Sequence, residues 1–169
     1  MLYPIGIQNF EKIRTGGFVY VDKTALIYSL AASGQYYFLS RPRRFGKSLL
    51  VSTMEAYFSG RKELFGGLAM ESLEKEWTEY PVLHLDLTGA AYLSVDELYS
   101  KLNSFLSKYE ERYEIRTVEH VASVRFENII DAAYRKTGQK VVILIDEYEK
   151  PIIDNIDNPE LMEQFRREL

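Results

Sequence analysis

Two short apolar runs constrain this chain more than anything else in it. One is Tyr36-Tyr37-Phe38-Leu39, closing on Ser40; the other is Val141-Val142-Ile143-Leu144-Ile145. Successive side chains of a strand point to opposite faces, so a strand with one wet face alternates apolar and polar residues. Runs that do not alternate read as strands covered on both faces, the pattern of parallel sheets flanked by helices. A third segment, Pro81-Val82-Leu83-His84-Leu85-Asp86-Leu87, reads as a strand with one partly polar face. Helical patterns lie between and around these segments. Strands alternating with helices predict an α/β chain with a mainly parallel sheet.

The helical patterns can be placed with some detail. Asp22 is positioned to cap a helix over about 23–33, stopped by Gly34. A helix is expected from Lys47 to Phe58, with Leu49, Leu50, Met54, Tyr57 and Phe58 on one side. Residues 61–80 read as a short helical excursion anchored by Trp77. Ser94-Val95-Asp96-Glu97 resembles a capping box opening a long amphipathic helix. Another helix is expected over 124–136, with Phe126, Ile129, Ile130, Ala133 and Tyr134 inward and Gly138 as its stop. Asn158-Pro159-Glu160 is a helix start with Pro at the first helical position; that helix carries Leu161, Met162, Phe165 and Leu169 on one face. Residues 1–17 read as irregular.

The residues just past each apolar run carry the chemistry. Residues 36–40 lead into Arg41-Pro42-Arg43-Arg44-Phe45-Gly46-Lys47-Ser48. A loop entering a helix N-terminus supplies positive potential and N–H donors at close range, which a phosphate chain requires. In this reading Arg43, Arg44, Phe45, Gly46, Lys47 and Ser48 form the phosphate-binding stretch. Gly46 permits close backbone approach, Lys47 reaches the β- and γ-phosphates, and the Ser48 hydroxyl faces a magnesium ion. The usual pattern has a further Gly five residues before Gly46, where this chain has Arg41. Arg41 takes a positive φ only at a cost, so the turn is expected to begin in another conformation, with Pro42 fixing it. The second run ends in Asp146-Glu147. Asp146 is placed to hold the metal, and Glu147, one residue on, to polarise an attacking water. Gly-Lys-Ser alone also fits a basic helix start with no ligand, and Asp146-Glu147 alone fits a solvated strand end. The two in this order point together to a site for ATP and Mg²⁺.

Composition excludes several alternatives. The 169 residues suit one domain. A net charge of −4 does not suit a surface that coats nucleic acid. The chain has no cysteine, so disulfides and thiolate metal sites are ruled out. No apolar run approaches the ~20 residues that span a bilayer, so the expectation is a cytoplasmic chain without a membrane partner. His84 and His120 lack ligand spacing. Arg166-Arg167 and the carboxylates between 146 and 163 read as surface charge. Lys23 and Thr24 fit either the border of a nucleotide base or a capped surface helix. A metal-nuclease pattern, a carboxylate two residues before a lysine, fails at Lys150, which Tyr148 precedes at that spacing.

Several stretches together resemble the bacterial AAA-ATPase-like proteins of the P-loop superfamily. They are Gly6-Ile7-Gln8-Asn9-Phe10, Tyr20-Val21-Asp22-Lys23-Thr24, the loop from Phe38 to Ser48, Tyr80-Pro81-Val82-Leu83 and Ile145-Asp146-Glu147-Tyr148. The loop is also similar to the Gly-Pro-Arg-Arg loop of archaeal-type ATPases, with Arg41 in the Gly place; Glu149 stands where the family is expected to have Asp. The resemblance implies a three-layer P-loop core over 36–169, preceded by a lead segment over 1–35 that borders the nucleotide. It implies a further sheet strand, with a sensor residue, for which residues after 145 offer no candidate, and so a core incomplete in this chain. It also implies a longer protein with a C-terminal nuclease-like domain, and slow or no hydrolysis by this segment by itself. The expected function is ATP binding with Mg²⁺-dependent hydrolysis in the intact protein. The alternative is a nucleotide-gated interaction module, or a non-hydrolysing scaffold, coupled to that further domain. Self-association is the other partnership considered.

Overall fold

A computed structural model describes residues 2–40, 42, 44–89, 91–116 and 119–168. The chain combines helices with a two-stranded sheet whose strands run parallel, and it forms two compact units, residues 1–82 and 83–169.

The first unit is helical and built around aromatic rings. Helix α1 (Phe10–Thr15) occupies part of the stretch expected to be irregular. Its capping residue Asn9 accepts the Lys12 N–H through Oδ1 at 2.9 Å, and it buries Phe10 and Ile13. Six residues between glycines are too few to display a helical period, which is why sequence reading passes over it. Helix α2 (Thr24–Ser33) stops before Gly34 as expected and starts one residue later than expected, with Lys23 at the capping position. The Asp22 carboxylate accepts the Thr24 N–H at 2.8 Å, the Thr24 hydroxyl at 2.7 Å and the Ala69 N–H at 2.7 Å. The buried Thr24 hydroxyl in turn accepts the Met70 N–H at 3.0 Å. The Asp-Lys-Thr stretch thus ties the start of α2 to the start of α4 (Ala69–Leu73). Burial opposes ionisation of Asp22, but the Ala69 and Thr24 donors outweigh it and hold the carboxyl below its ordinary range.

Helix α3 (Lys47–Phe58) has the expected bounds. A 3₁₀ turn (Lys62–Phe65) and α4 make up the excursion after it. Phe65, fully buried, lies 4.9 Å from Phe10 and 5.2 Å from Trp77 between ring centroids. Leu49, Leu50, Met54 and Tyr57 of α3 pack against this cluster. Two polar ties fix α1 beside it: the Phe10 N–H donates to Ser52 Oγ at 2.9 Å, and Arg14 Nε donates to the Leu64 carbonyl at 2.8 Å.

The expected strand over 36–40 is not formed. Tyr36 is 93% and Phe38 72% exposed, so the reading of this run as a buried strand is corrected. β-propensity describes fit to a pleated surface, and without a partner ladder it does not make a strand. Local contacts claim the segment instead. The Tyr37 hydroxyl donates to the Leu30 carbonyl at 2.6 Å and lies 3.1 Å from the Ser33 hydroxyl, folding the chain back on the end of α2. A Cβ at Gly34 would lie 2.6 Å from the Tyr37 hydroxyl oxygen, so a larger residue there would push the Tyr37 ring tip aside.

The second unit carries the sheet. Strand β1 (Val82–Asp86), whose first residue falls on the boundary between the units, pairs with β2 (Val142–Asp146). Helices α5 (Val95–Arg112) and α6 (Ala122–Thr137) enclose Leu83, Leu106, Tyr109 and Ile129 as one core cluster. Short α7 (Lys150–Ile153) and α8 (Pro159–Glu168) join a second cluster of Leu87, Tyr92, Leu98 and Phe165. Along β2, Leu144 and Asp146 are buried while Ile143 and Ile145 are 42% and 51% exposed. The strand is therefore covered on one face, not two as its unbroken apolar run suggests. Tyr134, expected inward, is 55% exposed, whereas Ile129 and Ala133 are buried as expected. Ser94 makes no side-chain cap; Glu97 still reaches back, accepting the Leu93 N–H. Leu169 and its expected place on the α8 face lie outside the described residues.

Arg125 locks α6 to α5. Its Nε and Nη2 donate to the two Glu110 oxygens at 2.8 and 2.7 Å, and its Nη1 donates to Asn103 Oδ1 at 2.7 Å. Both side chains are largely buried. The guanidinium holds the Glu110 carboxyl below its ordinary range. A depressed carboxylate contributes its full stability above the ordinary Glu value of about 4.3 and loses it as pH falls through the depressed value. Arg125→Gln is therefore expected to cost about 2 kcal/mol in urea denaturation at pH 7. The gap from the wild type should narrow as the pH is taken well below 4.3, where the pair no longer holds its charge.

Candidate functional site

The loop into α3 has an unusual backbone. Arg44 has φ 67° and Gly46 has φ 75°, so two left-handed residues flank Phe45. For a residue with a Cβ this region costs roughly 1–2 kcal/mol, and such outliers gather where a backbone has work beyond packing. A Cβ on Gly46 would meet nothing within 4 Å, so glycine is set there by conformation and not by crowding. The Gly46 carbonyl accepts the Leu50 N–H at 3.0 Å, the first rung of α3. Gly46, the capping residue, brings no side chain to this end of the helix, and no acidic residue lies in the first turn. The positive end of the helix dipole is thus left without a compensating carboxylate of its own helix. Arg44, Phe45 and Gly46 are exposed, while Lys47 and Ser48 are half-buried in the first turn of α3. Arg43 and Arg41, with the expected turn at Arg41, lie outside the described residues.

The end of β2 shows a second sharp backbone turn. Asp146 is 6% exposed, and its main-chain carbonyl accepts the Leu87 N–H at 3.1 Å. Glu147 comes next with φ 55°, again left-handed, and is half-buried. Its carbonyl accepts the Lys150 N–H at 2.9 Å, which starts α7. The strand thus stops at Asp146, and the chain reverses on the next residue.

The weaker sequence candidates have the following surroundings. Thr24 is buried in the tie to α4, while Lys23 is exposed. Arg166 and Arg167 lie 3.9 and 3.5 Å from Glu163 as exposed ion pairs. The main-chain N–H of His84 donates to the Tyr109 hydroxyl at 2.8 Å. No cluster of three or more His, Cys, Asp or Glu able to hold a metal occurs among the described residues. No helix of the described residues is long and apolar enough to cross a membrane. Tyr92 and Asn155, both buried beside the β2 turn, were not singled out by sequence. Neither carries a motif signal, and their roles depend on contacts distant along the chain.

Two features therefore define the chain as a class: a Gly-Lys-Ser junction entering a helix, and a strand ending in paired carboxylates, within a helix-and-sheet chain. A family model described as "Predicted AAA-ATPase" matches residues 4–169, and the chain belongs to that family. It is 40% identical over 165 residues to an "Uncharacterized protein in vnfD 5'region" of Azotobacter chroococcum mcd 1. The match covers 96% of this chain and 32% of that relative, so the chain spans about a third of the relative's length. No solved structure matches the chain.

Gly46→Ala, which keeps the loop sequence otherwise intact, is expected to lower stability by about 1 kcal/mol through its positive φ alone. Urea denaturation of the variant checks this; an unchanged midpoint would show that the left-handed turn is not held in solution.

Proposed function

We propose that the chain binds ATP with Mg²⁺ and that the intact protein hydrolyses it. The observation that carries this reading is the Gly46 turn. A Gly-Lys-Ser sequence enters a helix through a left-handed glycine, in a member of a predicted AAA-ATPase family. In the proposal the main-chain N–H groups of residues 43–48 and the Lys47 ammonium hold the phosphates, with Arg43 and Arg44 adding positive charge and Phe45 setting the loop. The first-turn N–H groups suit this role because they point along the helix axis toward the loop that Gly46 opens.

The donor set fits magnesium. Ser48 offers a hydroxyl and Asp146 a carboxylate, both hard oxygen donors. Mg²⁺ is ordinarily held by one or two carboxylates plus substrate phosphates, not by a protein cage. When bound, the ion neutralises charge that develops on the phosphate oxygens. Glu147 orients the water and accepts its proton. Its place one residue past a buried strand end gives the carboxylate a fixed base with partial access to solvent.

Lys47→Ala is expected to weaken Mg·ATP affinity at least about 10-fold in calorimetric titration, the loss of one charge-assisted phosphate contact. Glu147→Gln should leave that affinity within a few-fold. It should also lower the hydrolysis rate of the intact protein by about 100-fold or more, the scale of a lost general base. If neither the wild type nor Glu147→Gln hydrolyses ATP above the spontaneous rate while both bind it, the chain is a nucleotide-gated module and not a hydrolase.

A further inference from the structure

The turn after β2 is closed by a ring of hydrogen bonds that the proposed chemistry does not itself call for. It begins at the Asp146 carbonyl, which accepts the Leu87 N–H at 3.1 Å. The Leu87 carbonyl accepts the Tyr92 hydroxyl at 2.9 Å. The Tyr92 carbonyl accepts Asn155 Nδ2 at 2.8 Å, and the same nitrogen donates to the Pro151 carbonyl at 2.9 Å. Pro151 is bonded to Lys150, whose N–H donates to the Glu147 carbonyl at 2.9 Å. The circuit returns to Asp146 through one peptide bond. The main-chain carbonyls of both proposed site carboxylates are thereby pinned in one closed loop of contacts.

The members of this ring are poorly suited to being incidental. Leu87 and Tyr92 are fully buried, and Asn155 is nearly so. Asn155 uses both of its N–H bonds on carbonyls, and only the amide nitrogen can serve two such acceptors. Tyr92 has φ 42° and Glu147 φ 55°, so two residues with side chains are held left-handed on opposite sides of the ring. Conformations of that kind persist only where the surroundings over-determine them. Packing adds to the polar contacts. Phe165 meets the Tyr92 ring edge-on at 6.3 Å, and Lys150 Nζ lies 5.8 Å from its centroid. Lys150 is kept there by its ion pair with Asp154 one helical turn on. A buried donor or acceptor deprived of its partner loses more than the average bond contributes, so the ring is expected to loosen as a unit.

We infer that Tyr92 and Asn155 are positioning residues for the Asp146-Glu147 turn, acting through the main chain to fix the direction of the Glu147 carboxylate. This rests on the reading of Glu147 as the water-orienting base. A base that swings by about an ångström can lose two orders of magnitude in rate while the nucleotide still binds.

The test uses Tyr92→Phe, which removes one hydroxyl and keeps the ring, and Asn155→Leu, which removes both N–H donors at similar volume. The intact protein is used for hydrolysis, with amide hydrogen exchange as the second readout. The expected result is faster exchange at the Leu87 and Lys150 amides, kcat lower by about 10-fold or more, and KM for ATP within a few-fold. In a Glu147→Gln background, Tyr92→Phe should lower the residual single-turnover rate no further, because it acts through that carboxylate. A kcat loss that persists undiminished in that background overturns the inference. So does faster exchange with unchanged kcat, or slower catalysis with unchanged exchange at both amides. Should Asn155→Leu fail to fold, Tyr92→Phe decides alone. If wild type and Glu147→Gln hydrolyse ATP equally, it is the functional reading that fails. Exchange in Tyr92→Phe then still tells whether the ring holds the turn.

Discussion

The hydrogen bond from the Leu87 N–H to the Asp146 carbonyl is the contact on which the second unit's geometry turns. It is made just past the end of β1 (Val82–Asp86), at the last residue of β2 (Val142–Asp146). A two-stranded ladder by itself is marginal in water. This one is kept by helices that bury Leu83, Leu87 and Leu144 on one side. Those helices are in turn fixed by Arg125, which spans α5 and α6 with charge-assisted bonds. The same β2 carbonyl that completes the pairing also anchors the reversal at Glu147. Sheet, turn and carboxylate pair therefore share one set of contacts, and disturbing any of them disturbs the rest.

The first unit solves a different problem by different means. Its task in the proposed function is to hold one helix N-terminus and the loop that enters it. Among its described residues it forms no sheet of its own. The rigidity of α3 comes from aromatic packing around Phe65 and from short polar ties such as Phe10 N–H to Ser52. Ring pairs in edge-on or tilted contact add directional preference to burial. The tie from Asp22 and Thr24 to the start of α4 closes the other side of this core. The exposed loop that enters α3 from this scaffold carries left-handed backbone at Arg44 and Gly46.

Much of this was legible in the sequence where a rule is local. Asn158 and Pro159 open α8, Gly138 ends α6 in a left-handed cap, and Lys47 begins α3, each at the residue that its turn or cap chemistry indicates. The placement of Gly46-Lys47-Ser48 at a loop-to-helix junction and of Asp146 at a strand end was legible for the same reason. What failed was inference about partners. Tyr36 to Leu39 has the composition of a buried strand, but composition cannot supply a neighbouring ladder, and Tyr37 binds its own helix end instead. Ile143 and Ile145 read as buried on the strength of an apolar run, yet burial depends on what covers a face. Tyr92 and Asn155 stayed invisible because their significance comes from contacts between residues 63 apart. No period, cap or motif announces such a bond.

The most direct measurement is nuclear magnetic resonance of the chain with Mn²⁺ and ATP, reading paramagnetic broadening of assigned amides. Mn²⁺ substitutes for Mg²⁺ at oxygen-donor sites of this kind. The account predicts that Lys47, Ser48, Asp146 and Glu147 broaden together at substoichiometric Mn·ATP, and that Lys47→Ala abolishes the effect at all four. Broadening confined to the Gly-Lys-Ser turn, or to the carboxylates with Mn²⁺ alone and no dependence on ATP, would contradict it: the two segments would not then be parts of one nucleotide site.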